Sequence, residues 1–240
     1  MSARKHPVSI MKLIITCEHG GNHIPEKYLS FFKNAENTLC SHQGYDLGAL
    51  NIFQKLKPLS NYSKYSKTSR LLIELNRSLH HPNVFSKFTK QLSKTEKNTI
   101  IKTYYEPYRN NIESKIISYL NTNQRVVHIS IHSFTPVLNK MERNCDIGLL
   151  FDTSKKEEKF FCKQFKSILK EQDSNFTIRY NYPYLGKADG FTSYLRKKFP
   201  ENYLGIELEV NQKFSNHNTM NHNLKTVLYN TLKEVVYKHQ

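Results

Sequence analysis

The stretch KLIITCEHGGNHIP, residues 12–25, joins two unlike halves. Lys12–Cys17 is a short apolar, β-branched run, the composition of a buried strand. It ends abruptly in Glu18, His19, Gly20, Gly21, Asn22 and His23, where one acid, two imidazoles and two glycines crowd into six positions. Such a cluster reads either as a tight turn or as a metal site at the end of a strand, since glycine lets backbone and ion approach closely.

Outward from this stretch, short β-rich runs alternate with longer helical patterns. Strands are expected at 12–17, 71–75 (LLIEL), 126–132 (VVHISIH), 146–152 (DIGLLFD) and 203–210 (YLGIELEV). Helices are expected over 45–57, 95–120, 155–172, 190–199 and the tail from about Thr219. The alternation predicts an α/β fold with a mostly parallel or mixed central sheet and helices on both faces. In such sheets ligands sit beyond the strand ends, so the residues that follow each strand are read together.

The chain has 240 residues, enough for one α/β domain, and carries only 8 Gly and 8 Pro with no linker or repeat. A single domain over 11–240 is expected, with residues 1–10 as an N-terminal extension because Met11 opens the first strand. Lys+Arg 36 against Asp+Glu 20 gives a net charge of +16, which favours anionic ligands. The lysines are dispersed along polar faces, as in KKEEKFFCKQFKSILKEQ, and not gathered with aromatics into a nucleic-acid groove. Four scattered cysteines without a C-x-x-C favour reduced thiols in a cytoplasm over a disulfide framework. No apolar run approaches the roughly 18 residues of a membrane span.

His19 and His132 each end a strand. Two neutral imidazoles and one carboxylate form the usual protein ligand set of a catalytic zinc. A strand-end histidine can equally be a plain hydrogen-bonding residue. The third ligand is open among Asp46, Glu18 and Asn22, and Asp46 could instead face a helix dipole. Arg70, Asn76 and Arg77 flank the 71–75 run and suit a carboxylate, which a guanidinium grips bidentately; a surface ion pair is the alternative. Glu207 and Glu209 stand two apart on one strand face, and an acid on an apolar strand is costly to bury unless it is paired, metal-bound or catalytic. Glu209 is the candidate general base, with Glu207 the other choice. Tyr182, Tyr184 and Lys187, in a Pro/Gly loop before a helix that Asp189 could cap, are candidates for lining a pocket.

With these pieces in order, CEHGGNHIP, GYDLGA, SRLLIELNRS, IHSFTP, NYPYLG and IELEVNQ, the chain resembles the N-formylglutamate amidohydrolase family from about residue 12 to 213. That family is similar in turn to zinc carboxypeptidases and aspartoacylases, whose metal site uses H-x-x-E and a later histidine of an HS pair. The resemblance implies a zinc-carboxypeptidase-like, phosphorylase/hydrolase-like fold. It implies zinc held by His19, His132 and, because Asn22 stands where the pattern has Glu, by Asp46. It further implies Asn76–Arg77, with Arg70 and Tyr184, as the substrate-binding set, and Glu209 as the catalytic base. The implied activity is hydrolysis of an N-acyl amino acid amide, nominally N-formyl-L-glutamate to formate and L-glutamate. Two other readings stand beside it: a carboxypeptidase-like hydrolase of small peptides, and a basic nucleic-acid-binding protein in which these residues are structural.

Overall fold

The computed structural model describes residues 11–238. The expected extension at 1–10 lies outside the described residues. Ten strands are present: β1 (Met11–Cys17), β2 (Tyr62–Tyr65), β3 (Arg125–Phe134), β4 (Val137–Leu138), β5 (Met141–Glu142), β6 (Ile147–Leu150), β7 (Ile178–Tyr180), β8 (Tyr203–Asn211), β9 (Ser215–Asn216) and β10 (Thr219–Met220). Six of them form one sheet in the order β2-β1-β3-β8-β6-β7, and the other four make two small ribbons. β2, β1, β3 and β8 run parallel, and β6 pairs antiparallel with β8, so the sheet is mixed. The helices are α1 (Glu36–Leu39), α2 (Ala49–Leu56), α3 (Lys94–Ile100), α4 (Glu106–Leu120), α5 (Lys156–Gln172), α6 (Phe191–Lys198) and α7 (His222–Lys238). No helix among the described residues is long and apolar enough to cross a membrane.

Strand alternation divides the two sheet faces. Leu13 and Ile15 of β1, Val127, Ile129 and Ile131 of β3, and Leu204, Ile206, Leu208 and Val210 of β8 face one side and pack with α2, α5 and α7. The opposite face begins apolar, with Ile14, Val126 and Tyr203 packed on α4 and α6. Farther along β3 and β8 the same face turns polar, presenting Ser130, His132, Glu207 and Glu209. Helices therefore cover both faces, and one end of one face is left for chemistry. In the parallel register Ser130 lies beside Glu207 and His132 beside Glu209.

The run 71–75 is not a strand. Its backbone bonds to other loops instead: Arg70 N to Gly44 O, Leu72 N to Ser69 O and Glu74 N to Val84 O. Leu72, Ile73 and Leu75 are buried because this coil crosses the second core, so a β-like composition is satisfied by packing without a ladder. β2 and β7 were not expected from the sequence. Residues 94–120 are helical throughout but contain a π-helical stretch, Ile101–Tyr105. Pro107, which has no N–H to return to the preceding turn, accounts for the irregularity. The helix expected to open at Asp46 starts at Ala49. Asp189 does not cap α6; its carboxylate accepts from Ser78 N and Oγ.

Gly148 of β6 sits opposite Glu209, and a Cβ there would lie 2.1 Å from Tyr182 O and 3.2 Å from Glu209 Cβ. The loop that shapes the site can thus reach the sheet only over a bare backbone. Gly148→Ala should lower stability by about 1–3 kcal/mol, the range for overpacking, read from the denaturant midpoint; an unchanged midpoint would mean that the loop does not pack as described.

Candidate active site

Beyond the carboxyl ends of the parallel strands lies a cleft of about 280 Å³, lined by His19, Asp46, Arg77, His132, Glu207 and Glu209 among others. That volume is just below the roughly 300–1,000 Å³ common for drug-sized ligands, and it suits one derivatised amino acid. A larger groove beside Pro58, Lys233 and Tyr237 has no converging catalytic groups.

Asp46 is the hub of the site. Its Oδ2 lies 3.3 Å from His19 Nδ1 and 2.9 Å from His132 Nδ1, and its Oδ1 accepts from Arg70 at 3.1 Å. One donor atom from each of His19, Asp46 and His132 falls within 4.8 Å of the others, and all three residues are buried. Ligand atoms about 2.0–2.2 Å from a shared zinc lie roughly 3.3–3.5 Å apart, so the separations are near those of a closed coordination shell.

The outer nitrogens are occupied. His19 Nε2 is hydrogen-bonded to Glu74, which also receives Arg70 Nε and an ion pair from its Nη2 at 2.6 Å. His132 Nε2 lies 2.8 Å from Ser130 Oγ and 3.4 Å from Glu18 Oε2. Ser130 and Tyr108 donate their hydroxyls to Glu18, which is fully buried. With Nε2–H donating outward, the Nδ1 lone pair of each imidazole is free to face the centre, the arrangement in which a carboxylate behind a histidine fixes its tautomer. The donor set therefore fits a divalent metal. Glu18 stands behind a histidine and not at the centre, and Asn22 turns away toward Cys40 Sγ.

The electrostatics follow from this crowding. Burial opposes every charge here, but His19, His132 and Arg70 hold Asp46 well below the usual carboxylate range. Burial likewise opposes the ionised Glu74, yet Arg70 and His19 keep its pKa low. His132 is raised well above an ordinary histidine: burial lowers it, and the bonds to Asp46 and Glu18 more than offset that. Glu209 is the exception, pushed up to about 8 by burial first and then by Asp46 and Glu207, against the opposing pull of His132. It is 4% exposed, and its Oε2 has no hydrogen-bond partner among the described residues.

Arg77 donates to the carbonyls of Asn76 and Asp189, while Asn76 accepts Phe191 N at 2.7 Å and lies 3.4 Å from His132 Nε2. Tyr184 lines the mouth, half exposed, with the Arg143 guanidinium 5.3 Å from its ring. Tyr182 and Lys187 do not line the cleft. Glu74 and Ser130 escaped the sequence reading, although an acid inside LLIEL carries the same signal as Glu209: a charge with no place in an apolar run.

A polar centre of this composition stands at the carboxyl ends of parallel strands, where open α/β sheets place their ligand sites. The family profile described as N-formylglutamate amidohydrolase matches residues 11–215, and the chain belongs to that family. Among solved structures it is similar to a gene product of Agrobacterium tumefaciens, with 24% identity, a TM-score of 0.78 and coverage of 95% of this chain and 90% of that one. It is also similar to an N-formylglutamate amidohydrolase of Ralstonia eutropha JMP134, with 14% identity, TM-score 0.70 and coverage of 96% and 94%. A metallo-carboxypeptidase of Pseudomonas aeruginosa aligns at 14% identity and TM-score 0.44, covering 99% of this chain and 60% of that one. No curated protein sequence matches the chain.

Because His19 and His132 are both raised in the metal-free state, a divalent ion must displace protons to bind. Metal affinity should therefore rise with pH, by about tenfold per unit for each proton displaced. Calorimetry of metal binding in two buffers of different ionisation enthalpy checks this; a heat independent of buffer would contradict it.

Proposed function

We propose that this chain is a metal-dependent amidohydrolase that cleaves the amide of an N-acyl amino acid. The family's namesake, N-formyl-L-glutamate, is the reference substrate and would give formate and L-glutamate. The observation that carries the reading is the convergence of His19, Asp46 and His132 on one point beside a buried, unpartnered Glu209 oxygen. Residues 11–240 would act as one catalytic domain in the cytoplasm, in keeping with four free cysteines, three of them buried.

His19 Nδ1, His132 Nδ1 and Asp46 Oδ2 would hold the ion, with zinc favoured by two imidazoles and one carboxylate. When bound, the ion supplies Lewis acidity toward the acyl carbonyl and acidifies the attacking water. Glu209 accepts a proton from that water and delivers it to the departing nitrogen, so that the C–N bond breaks to a carboxylate and an amine. Arg77, aimed by its bonds to the carbonyls of Asn76 and Asp189, grips the substrate's α-carboxylate, and Asn76 supplies an adjacent amide. Tyr184 covers the mouth. Arg70 spends its donors on Asp46 and Glu74, so its part is to hold the metal ligands in place.

Replacing His19 or His132 by Ala should remove most of the bound metal together with the activity, as read by metal analysis of the purified variants; stoichiometric metal in both would refute the site. Glu209→Gln should lower kcat by roughly 10²-fold or more with metal retained, and Glu207→Gln should leave kcat far less affected. If Glu207→Gln is instead the inactive one, the proton carrier has been assigned to the wrong glutamate. Arg77→Ala should lose about 2–5 kcal/mol in kcat/KM on a carboxylate substrate, mostly through KM; an equal loss on a substrate whose carboxylate is esterified would contradict the clamp.

A further inference from the structure

The charges that line the cleft do not match a substrate with two carboxylates. Arg70 is consumed: Asp46 Oδ1 takes one guanidinium nitrogen at 3.1 Å, and Glu74 Oε2 takes two others at 2.6 and 2.8 Å. Arg77 is the one lining guanidinium that makes no ion pair among the described residues; two neutral carbonyls aim it, and the Asp189 carboxylate lies near it. It can take the α-carboxylate. A second, acidic carboxylate would find no further cation on the lining.

The acids are in the opposite condition. Glu207 lines the same cleft and accepts one hydrogen bond, from Thr192 Oγ1 at 2.8 Å, and no Lys, Arg or His among the described residues pairs with it. Asp189 is hydrogen-bonded to Ser78 through its carboxylate and has the charges of Arg77 and His81 near it. Glu209 is buried with an oxygen that no group among the described residues satisfies. Glu207 sits one pleat before Glu209 on β8, roughly 6.5 Å along the strand, and is partly exposed where Glu209 is buried. Gly190 keeps this corner open: a Cβ there would come within 3.2 Å of Glu207 Oε1 and 3.3 Å of Asn76 Oδ1. The acid thus stands close to Asn76, one of the pair that receives the α-carboxylate, and one pleat along the strand from Glu209, a spacing that suits a long side chain.

We propose that the amino acid released by this enzyme has a cationic side chain, an amine or guanidinium held by Glu207, and that an acidic side chain is disfavoured. This rests on the reading of the cleft as the site of an N-acyl amino acid. A glutamate side chain would set its carboxylate beside that of Glu207, whereas lysine or arginine would supply the charge that Glu207 lacks, as a charge-assisted hydrogen bond.

The test compares Nα-formyl-L-lysine, N-formyl-L-norleucine and N-formyl-L-glutamate as substrates of the metal-loaded protein, and the three free amino acids as ligands by calorimetry. Norleucine has the length of lysine without its charge. The lysine compound should exceed the norleucine one in kcat/KM by about tenfold or more, the worth of a hydrogen bond to a charged group, and L-lysine should bind more tightly by a similar factor. Glu207→Gln should bring lysine and norleucine to near equality with metal content unchanged. Glutamate outperforming lysine, or lysine and norleucine being equal in the unaltered protein, would overturn the proposal. If none of the three compounds is hydrolysed but L-lysine binds in a Glu207-dependent way, the side-chain assignment stands and the amidase reading falls.

Discussion

One carboxylate holds the site together. Asp46 is buried and receives His19 and His132 on one oxygen and Arg70 on the other. An ionised acid in that position is tolerable only because several positive or polarised groups converge on it, and breaking one partner of such a buried set typically costs about 3–5 kcal/mol. The three segments that carry these partners, the end of β1, the coil around 70–77 and the end of β3, must therefore arrive together. Asp46 stands in a turn just before α2, its N–H bonded to His19 O at 3.0 Å, so the hub is tied to β1 by backbone as well as by side chain.

A second ring supports the first. Glu74 stands behind His19 and bridges to Arg70, while Glu18, held by Ser130 and Tyr108, stands behind His132. Each imidazole thus has an acid inward and an acid outward, which fixes the ring plane and leaves its Nδ1 directed at the centre. Glu209 lies beside His132 without a fixed cation of its own, and burial keeps its proton affinity high. This contrast between acids that are paired and one that is not is what the proposed function uses: one set of groups to hold an ion and another to move protons.

Much of this was legible in the sequence. His19, His132, Arg77 and Glu209 each stand at the end of, or inside, an apolar run, Asp46 was picked out by the family resemblance at the start of an expected helix, and the structure brings all five to one cleft. The sheet was readable where its strands are long and alternate, as in β3 and β8, and unreadable where they are short and polar, as in YSKY of β2 and IRY of β7. LLIEL misled because burial in coil and burial in a strand leave the same composition. With a strand assumed there, Glu74 had no reason to meet His19; only the coil, by placing Arg70 and Glu74 on the same side four residues apart, brings them to His19 and Asp46. Tyr108 is the same kind of omission, a hydroxyl on α4 that reaches Glu18 from 90 residues away and so has no local signature.

The proposed function depends on a metal ion held by His19, Asp46 and His132. Crystals of the protein grown with zinc, measured by anomalous diffraction at the zinc edge, test it most directly. A single strong peak is predicted between His19 Nδ1, His132 Nδ1 and Asp46 Oδ2, at about 2.0–2.2 Å from each, with Glu18 and Glu74 outside the coordination shell. A peak coordinated by Glu18, or full-occupancy zinc elsewhere with this point empty, would contradict it.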